Sequence, residues 1–267
     1  MTAFADGTPC WVDAMFPDVG AAQEFYGELL GWTFDESSPE FGGYTQAYAD
    51  GKAVAAVVPQ LPEMAGQPAA WNFYFASSDV AATAEKITAN GGKLVMQPMA
   101  VGDFGTMVTA QDPSGVHFSV WQAGNHEGFA KAGEPGSVCW AEVNTRDVAK
   151  ADAFFPAVFG FGEKQIVDEQ MDFRLWEVAG QPVIGRFKMG DDIPADVPPY
   201  ISVYFGVEDC DEAVATIQRL GGQAFFGPMT TPFGRFAAVA DQQGAAFAVI
   251  DPTTTEGDMP ELAEPPS

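Results

Sequence analysis

A chain that carries two copies of one pattern has to fold as two copies of one unit, and this chain carries two. Cys10-Trp11 recurs as Cys139-Trp140, Asp18-Val19 as Asp147-Val148, Phe25-Tyr26 as Phe154-Phe155 and Gly31-Trp32 as Gly160-Phe161, each 129 residues on. Tyr74-Phe75, Gly91-Gly92 and Pro98-Met99 recur 130 residues on as Tyr204-Phe205, Gly221-Gly222 and Pro228-Met229. Phe104-Gly105 and Asp112-x-x-Gly115 return at 129 as Phe233-Gly234 and Asp241-x-x-Gly244. So many matches in nearly one register exclude coincidence.

Each half divides again. Residues 9–35 read as a strand, a turn at Asp18, an amphipathic helix and a glycine stop, and residues 70–95 read the same way. The helices rest on apolar spacing of three and four: Val19, Ala22, Tyr26, Leu29; Val80, Ala84, Ile87; Val148, Ala151, Phe155, Val158; Val214, Ile217. Asp18, Asp79, Asp147 and Asp209 stand where a carboxylate caps a first turn, and Gly31, Gly91, Gly160 and Gly221 where a left-handed residue ends the helix. The stretches after each helix are rich in Val, Phe and Tyr and are broken by Asp50-Gly51, Asp112-Pro113-Ser114-Gly115, Ala179-Gly180 and Asp241-Gln242-Gln243-Gly244, which read as hairpins. The fold class is therefore α+β, with four βαβββ modules in two tandem domains. The N-terminal domain is expected over 1–123, a Gly/Glu-rich linker over 124–136, the C-terminal domain over 137–252 and a loose acidic tail over 253–267.

Composition narrows the partners. The formal charge of −25 repels phosphate backbones and anionic membrane surfaces, so neither nucleic acid nor membrane is expected. The opening Met1-Thr-Ala-Phe-Ala-Asp-Gly-Thr-Pro has neither a basic leader nor an apolar stretch of signal length, and no run approaches the ~20 apolar residues of a membrane helix. The expected location is the cytoplasm, as a monomer or homodimer. Cys10, Cys139 and Cys210 are odd in number and far apart, so they read as small core residues, with no disulfide framework or thiolate zinc site.

This pattern resembles the glyoxalase/bleomycin resistance/extradiol dioxygenase, or vicinal oxygen chelate, superfamily. The resemblance spans about residues 8–250. It is carried by the strand-Asp-helix stretch from Trp11 to Gly31 with Phe25-Tyr26, and by the closing Asp112-Pro-Ser-Gly-Val-His-Phe-Ser hairpin, repeated four times over in order. The tandem form is similar to two-domain actinobacterial members, some of them linked to antibiotic biosynthesis or resistance. The resemblance implies paired modules whose mixed sheets curl into cups. Alternation then sends Val12, Ala14 and Phe16 to the helix side and Trp11, Asp13 and Met15 into the cup. The repeat adds Asn72, Tyr74 and Ala76, then Trp140, Glu142 and Asn144, then Ser202, Tyr204 and Gly206, and on the closing strands His117, Ser119, Trp121, Ala246 and Ala248.

Metal-dependent members of the family place His, Gln or Glu on the first strand of each module and Glu on its last. Here the first-strand positions hold Trp11, Asn72, Trp140 and Ser202 and the closing positions Ser119 and Ala248. Ala53–Val58 and Val183–Phe187 contain no His or carboxylate. No metal and no cofactor is expected, although a site of Asp13, Glu142 and carbonyl oxygens stays open. What replaces the ligands is aromatic, a lining suited to flat organic molecules. The expected ligand-binding residues are Trp11, Asp13, Met15, Asn72, Tyr74, His117, Ser119, Trp121, Trp140, Glu142, Asn144, Ser202 and Tyr204. Asp13 and Glu142, costly in such a cup unless paired, are candidates to hold an amine or act as a general base, with His117 a third candidate. Arg174, Arg186 and Arg235 are possible salt-bridge partners for them. Three functions follow: metal-independent binding of a small aromatic or polycyclic metabolite such as an antibiotic, for sequestration, carriage or a biosynthetic accessory role; an enzyme of the same family using carboxylate acid–base chemistry or a non-standard metal site; or a structural or regulatory pseudoenzyme.

Overall fold

The structure, a computed structural model, describes residues 4–168 and 171–265. The reading of the opening segment at residues 1–3, and of the tail at residues 266–267, lies outside the described residues. The first module runs β1 (Pro9–Phe16), α1 (Val19–Leu30), β2 (Thr33–Phe34), β3 (Thr45–Ala49), β4 (Lys52–Pro59). The second is β5 (Ala70–Ala76), α2 (Val80–Ala89), β6 (Lys93–Val101), β7 (Gly105–Gln111), β8 (His117–Ala123). The third is β9 (Val138–Thr145), α3 (Val148–Phe159), β10 (Gly162–Ile166), β11 (Phe173–Val178), β12 (Gln181–Lys188). The fourth is β13 (Tyr200–Gly206), α4 (Cys210–Arg219), β14 (Gln223–Thr231), β15 (Gly234–Ala240), β16 (Ala246–Asp251), followed by the short β17 (Leu262–Ala263).

All four helices begin as their sequences demand. The side chains of Asp18, Asp79, Asp147 and Asp209 each accept a backbone N–H of the first turn, a cap worth about 1 kcal/mol. Gly31 and Gly160 end α1 and α3 in the left-handed conformation, while Gly91 and Gly221 take it one residue beyond the caps of α2 and α4.

Consecutive modules pair. One sheet has the order β2-β3-β4-β1-β5-β8-β7-β6 and the other β14-β15-β16-β13-β9-β12-β11-β10-β17. In each, two first strands meet antiparallel at the centre, β1 with β5 and β9 with β13, and each is flanked by its own module's last strand running parallel. Val12, Ala14 and Phe16 join one large core that runs through both halves. Within it α1 packs near α4 and α2 near α3. Phe75 meets Phe159 with ring centroids 4.6 Å apart, and Trp32 meets Phe205 at 5.4 Å. The Tyr26 hydroxyl donates to Asp241 at 3.0 Å, tying the first helix to the fourth module. The helices therefore fill the space between the two sheets. The opposite sheet faces, which carry the alternate residues of every strand, point outward on the two sides of the molecule.

Two expectations change. The tail is not loose throughout: Ile166 and Gln165 of β10 pair with Leu262 and Ala263, and Val167 N–H donates to the Glu261 carbonyl. An edge strand presents unpaired backbone groups, and the tail satisfies some of them. Cys10 and Cys210 are buried as expected, but Cys139 is only half-buried, and all three are free. Among the described residues no helix is long and apolar enough to cross a membrane.

Candidate functional site

The N-terminal cup is built around Asp13. Its carboxylate accepts from the Tyr74 hydroxyl at 2.8 Å and from Asn72 Nδ2 at 3.3 Å, because antiparallel register sets Asn72 opposite Asp13 and Tyr74 opposite Trp11. The Tyr44 hydroxyl, which accepts from Trp11 Nε1 at 2.7 Å, is a third donor to it. Asn72 Oδ1 in turn accepts from Ser119 Oγ at 3.1 Å, which leaves Ser119 Oγ to accept from the Thr109 hydroxyl at 2.9 Å. Burial pushes the Asp13 carboxyl up to about 6, against the pull of its three donors.

This cup is full. Trp11 is 3 % exposed and forms a second apolar cluster with Cys10, Ala56, Tyr74, Ala76 and Trp121. The connection between the halves lies across it. His126 sets its ring edge-on to Trp11 at 4.4 Å and near Trp121 at 5.7 Å, and Phe129 lies 5.5 Å from Trp11. Trp121 Nε1 donates to the His126 carbonyl at 2.9 Å, and Phe129 N–H to the Cys10 carbonyl at 2.8 Å. The segment comes so close that a Cβ on Gly128 would stand 2.4 Å from the Cys10 carbonyl oxygen, and Gly128 has φ +105°. Burial drives the His126 imidazole down to about 4, so the plug is neutral.

The C-terminal cup repeats the frame with different contents. Glu142 stands where Asp13 does, and it accepts from the Tyr204 hydroxyl at 2.9 Å and from Trp140 Nε1 at 3.1 Å. Tyr44 is replaced at the repeat offset by Phe173, which has no hydroxyl, and Trp121 by Ile250. Opposite Glu142 is Gly185 in place of Ala56. A Cβ there would sit 2.4 Å from the Phe173 ring and 3.1 Å from Glu142 Cγ, so only glycine lets the acid and the ring share this floor. Ile166, Phe173 and Leu175 with Phe187 and Trp140 form one wall. Phe226 and Phe236, 5.8 Å apart, with Phe236 6.0 Å from Tyr204, form the other. Trp140, Glu142, Ser202 and Tyr204 are half-buried, and Phe226 is 49 % exposed. Desolvation lifts the Glu142 carboxyl up to about 7, with Tyr204 and Trp140 opposing the rise. Glu127-Gly128 of the plug recurs as Glu256-Gly257, but Thr255 and Asp258 replace the two rings, and residues 253–259 stay exposed.

Of the sequence candidates, Trp11, Asp13, Asn72, Tyr74, Ser119 and Trp121 converge in one cup and Trp140, Glu142, Ser202 and Tyr204 in the other. Asn144 is buried beside Glu142, donating to its carbonyl at 3.0 Å. Met15 lies half-buried further along β1. His117 does not join them: it is exposed at the start of β8, its Nε2 3.0 Å from Gln111 Nε2, and acts on neither carboxyl. Asp13 and Glu142 lie on separate sheets, so they make no common site. Nor do the arginines pair with them. Arg174 and Arg186 point to the helix side, Arg186 to Asp152 at 2.8 Å and Asp172 at 2.7 Å, Arg174 to Glu163 at 2.7 Å, and Arg235 meets Asp211 at 2.6 Å. Sequence reading missed Tyr44, His126 and Phe129, and the Phe173, Phe187, Phe226 and Phe236 walls; alternation along β11, β12, β14 and β15 is the available signal for the walls.

The donor set does not fit the divalent ion of the metal-dependent relatives. An indole N–H offers no lone pair, and those of Trp11 and Trp140 donate to Tyr44 and Glu142; Ser119 is spent on Asn72 and Thr109. Among the described residues no three His, Cys, Asp or Glu side chains converge.

A profile described as the Glyoxalase/Bleomycin resistance protein/Dioxygenase superfamily matches residues 11–120 and 137–249. The anthracycline biosynthesis protein DauV of Streptomyces sp. (strain C5) is 38 % identical over 264 residues, covering 94 % of this chain and 95 % of that protein. The Mn(II)-bound glyoxalase from Novosphingobium aromaticivorans superposes with a TM-score of 0.63 at 16 % identity, covering 94 % of this chain and 86 % of the other. The 2,3-dioxygenase LapB from Pseudomonas sp. KL28 gives 0.65 at 14 % identity, with 97 % and 95 % covered. At such identities these two speak for the fold alone.

Proposed function

The chain belongs to the Glyoxalase/Bleomycin resistance protein/Dioxygenase superfamily, and from that premise we propose that it binds a planar aromatic or polycyclic metabolite in its C-terminal cup, without a metal. One observation carries the reading: of two cups with one ancestry in the sequence, the first is filled by the chain's own aromatic residues and the second presents the same kind of surface unfilled. Trp140, Tyr204, Phe236 and Phe226 offer ring faces and edges to a flat ligand, and offset or edge-on contacts with such rings add ~0.5–1.5 kcal/mol each beyond buried area. The relatives named for anthracycline biosynthesis agree with a polycyclic ligand, since an anthracycline is a fused aromatic ring system.

The test is calorimetric titration with 9-anthracenemethanol, a neutral tricycle. Trp140→Ala weakens binding about tenfold or more through lost stacking and burial, whereas Trp11→Phe leaves it unchanged. Binding that ignores Trp140 refutes the reading.

The family-enzyme reading finds its best residue in the same place. Glu142, with a carboxyl near neutrality, could move a proton at a bound ligand. A proton exchange at a ligand C–H, followed by NMR in D2O and abolished by Glu142→Gln, would establish it.

A further inference from the structure

We propose that the C-terminal cup selects a cationic ligand, a flat aromatic bearing an ammonium group that Glu142 receives. This rests on the reading of that cup as an aromatic site and adds the charge of its ligand.

The case begins with what Glu142 lacks. Each of its oxygens accepts one hydrogen bond, both from neutral donors, Trp140 and Tyr204. A carboxylate has about four acceptor positions, so room for a further donor remains. Among the described residues no cation offsets its burial, and the groups that lower its carboxyl are Tyr204 and Trp140. Across the floor, β12 contributes Gly185 and Phe187 to this face and turns Arg186 to the other, where Asp152 and Asp172 take it. Arg174 of β11 is likewise committed to Glu163. From β13 the titratable neighbours are Tyr200 and Tyr204, whose hydroxyls are pushed up by burial first and by the acid second. Lys164 of β10 is paired with Glu264 of the tail.

Asp13 is the control within the same molecule. It has three donors, the third from Tyr44, and the C-terminal cup has lost that donor to Phe173. The lost hydroxyl leaves an acid with one fewer partner in a cup whose lining is half-buried, rather than in one closed by His126 and Phe129. An ammonium answers each deficit: it donates, it carries the missing countercharge, and it is drawn to the electron-rich face of Trp140. A net charge of −25 raises the local concentration of such a ligand.

The test compares two probes with one ring system, 9-(aminomethyl)anthracene, a cation at neutral pH, and 9-anthracenemethanol. In the wild type the ammonium binds about tenfold or more tightly, the scale of a charge-assisted hydrogen bond. Glu142→Gln brings the two to within about twofold, and Asp13→Asn leaves the preference intact. A second measurement needs no variant. Near pH 7 the cationic probe expels roughly half a proton from the protein, read from titrations in buffers of different ionisation enthalpy, and the neutral probe expels none. Equal affinities with Trp140-dependent binding would leave the aromatic site standing and overturn the charge preference. A preference that survives Glu142→Gln would assign it to the overall charge and overturn it too. Failure of both probes to bind would remove the aromatic site and this proposal with it.

Discussion

Asp13 and Glu142 hold the same place in a 129-residue repeat, on central strands of corresponding order, yet Asp13 is buried beneath the connecting segment while Glu142 and its neighbours Trp140 and Tyr204 are half-buried. Four substitutions mark the difference. Tyr44 gives way to Phe173, which removes a donor; Trp121 gives way to Ile250, which removes a ring; and the His126 and Phe129 that roof the first cup give way to Thr255 and Asp258, which stay in solvent. Duplication supplies the frame twice, and a few positions decide whether a concave face is spent on stability or left for a ligand. A buried acid needs all its donors from the protein when nothing else will come, and fewer when something will.

The comparison breaks most visibly at the two tryptophans. Trp11→Ala, which empties a packed and roofed site, should cost ~3–5 kcal/mol of unfolding free energy, and Trp140→Ala, at a half-buried position, about a third of that. Urea denaturation of both variants checks this; equal costs would mean that the two cups are equally part of the core.

Next in size is the pH dependence. The folded state raises Asp13 from 3.8 to about 6 and Glu142 from 4.5 to about 7. A folded protein that holds a proton more tightly than the unfolded chain is favoured at low pH, so each group's contribution is fully present below about 4 and is lost as pH rises, through about 6 for Asp13 and about 7 for Glu142. The loss is up to about 3 kcal/mol for each. Asp13→Asn should flatten the lower window and Glu142→Gln the upper one. Adding 9-(aminomethyl)anthracene should flatten only the upper one, because the proposed site holds Glu142 and not Asp13, which His126 and Phe129 cover. Melting temperatures recorded between pH 4 and 8 read all three arms.

Smallest, and sharpest, is the exchange of the missing hydroxyl. Tyr44→Phe should cost ~1–2 kcal/mol of stability by leaving Asp13 short of a donor and Trp11 Nε1 without its acceptor. Phe173→Tyr should cost little in folding, lower the Glu142 carboxyl and weaken the ammonium probe a few-fold. If Phe173→Tyr leaves the titration of Glu142 and the probe's affinity unchanged, Phe173 is not what distinguishes the cups.

Most of the frame was legible in the sequence because it is periodic. Capping aspartates, glycine stops and the alternation of β1 and β9 are local signals, and they put Trp11, Asp13, Trp140 and Glu142 on one kind of face. What escaped depends on long-range register or on composition that misleads. Tyr44 reaches Asp13 only because β3 pairs beside β4, and no local pattern says so. The stretch Gly124–Gly136 reads as an interdomain linker because it is rich in Gly and Glu; its two rings dock through a close approach that the glycine at 128 permits. By charge alone Arg174 and Arg186 are possible partners of the two carboxyls, but the parity of β11 and β12 turns them to Asp152, Glu163 and Asp172 on the other face.

The central claim is that the molecule has one working cup and that it is the C-terminal one. Its most direct test is the stoichiometry and location of probe binding: calorimetric titration of 9-(aminomethyl)anthracene into wild type, Trp140→Ala and Trp11→Phe protein. The account predicts one equivalent per chain, weakened about tenfold or more by Trp140→Ala and untouched by Trp11→Phe. Two equivalents, or one that survives Trp140→Ala and is lost in Trp11→Phe, would contradict it.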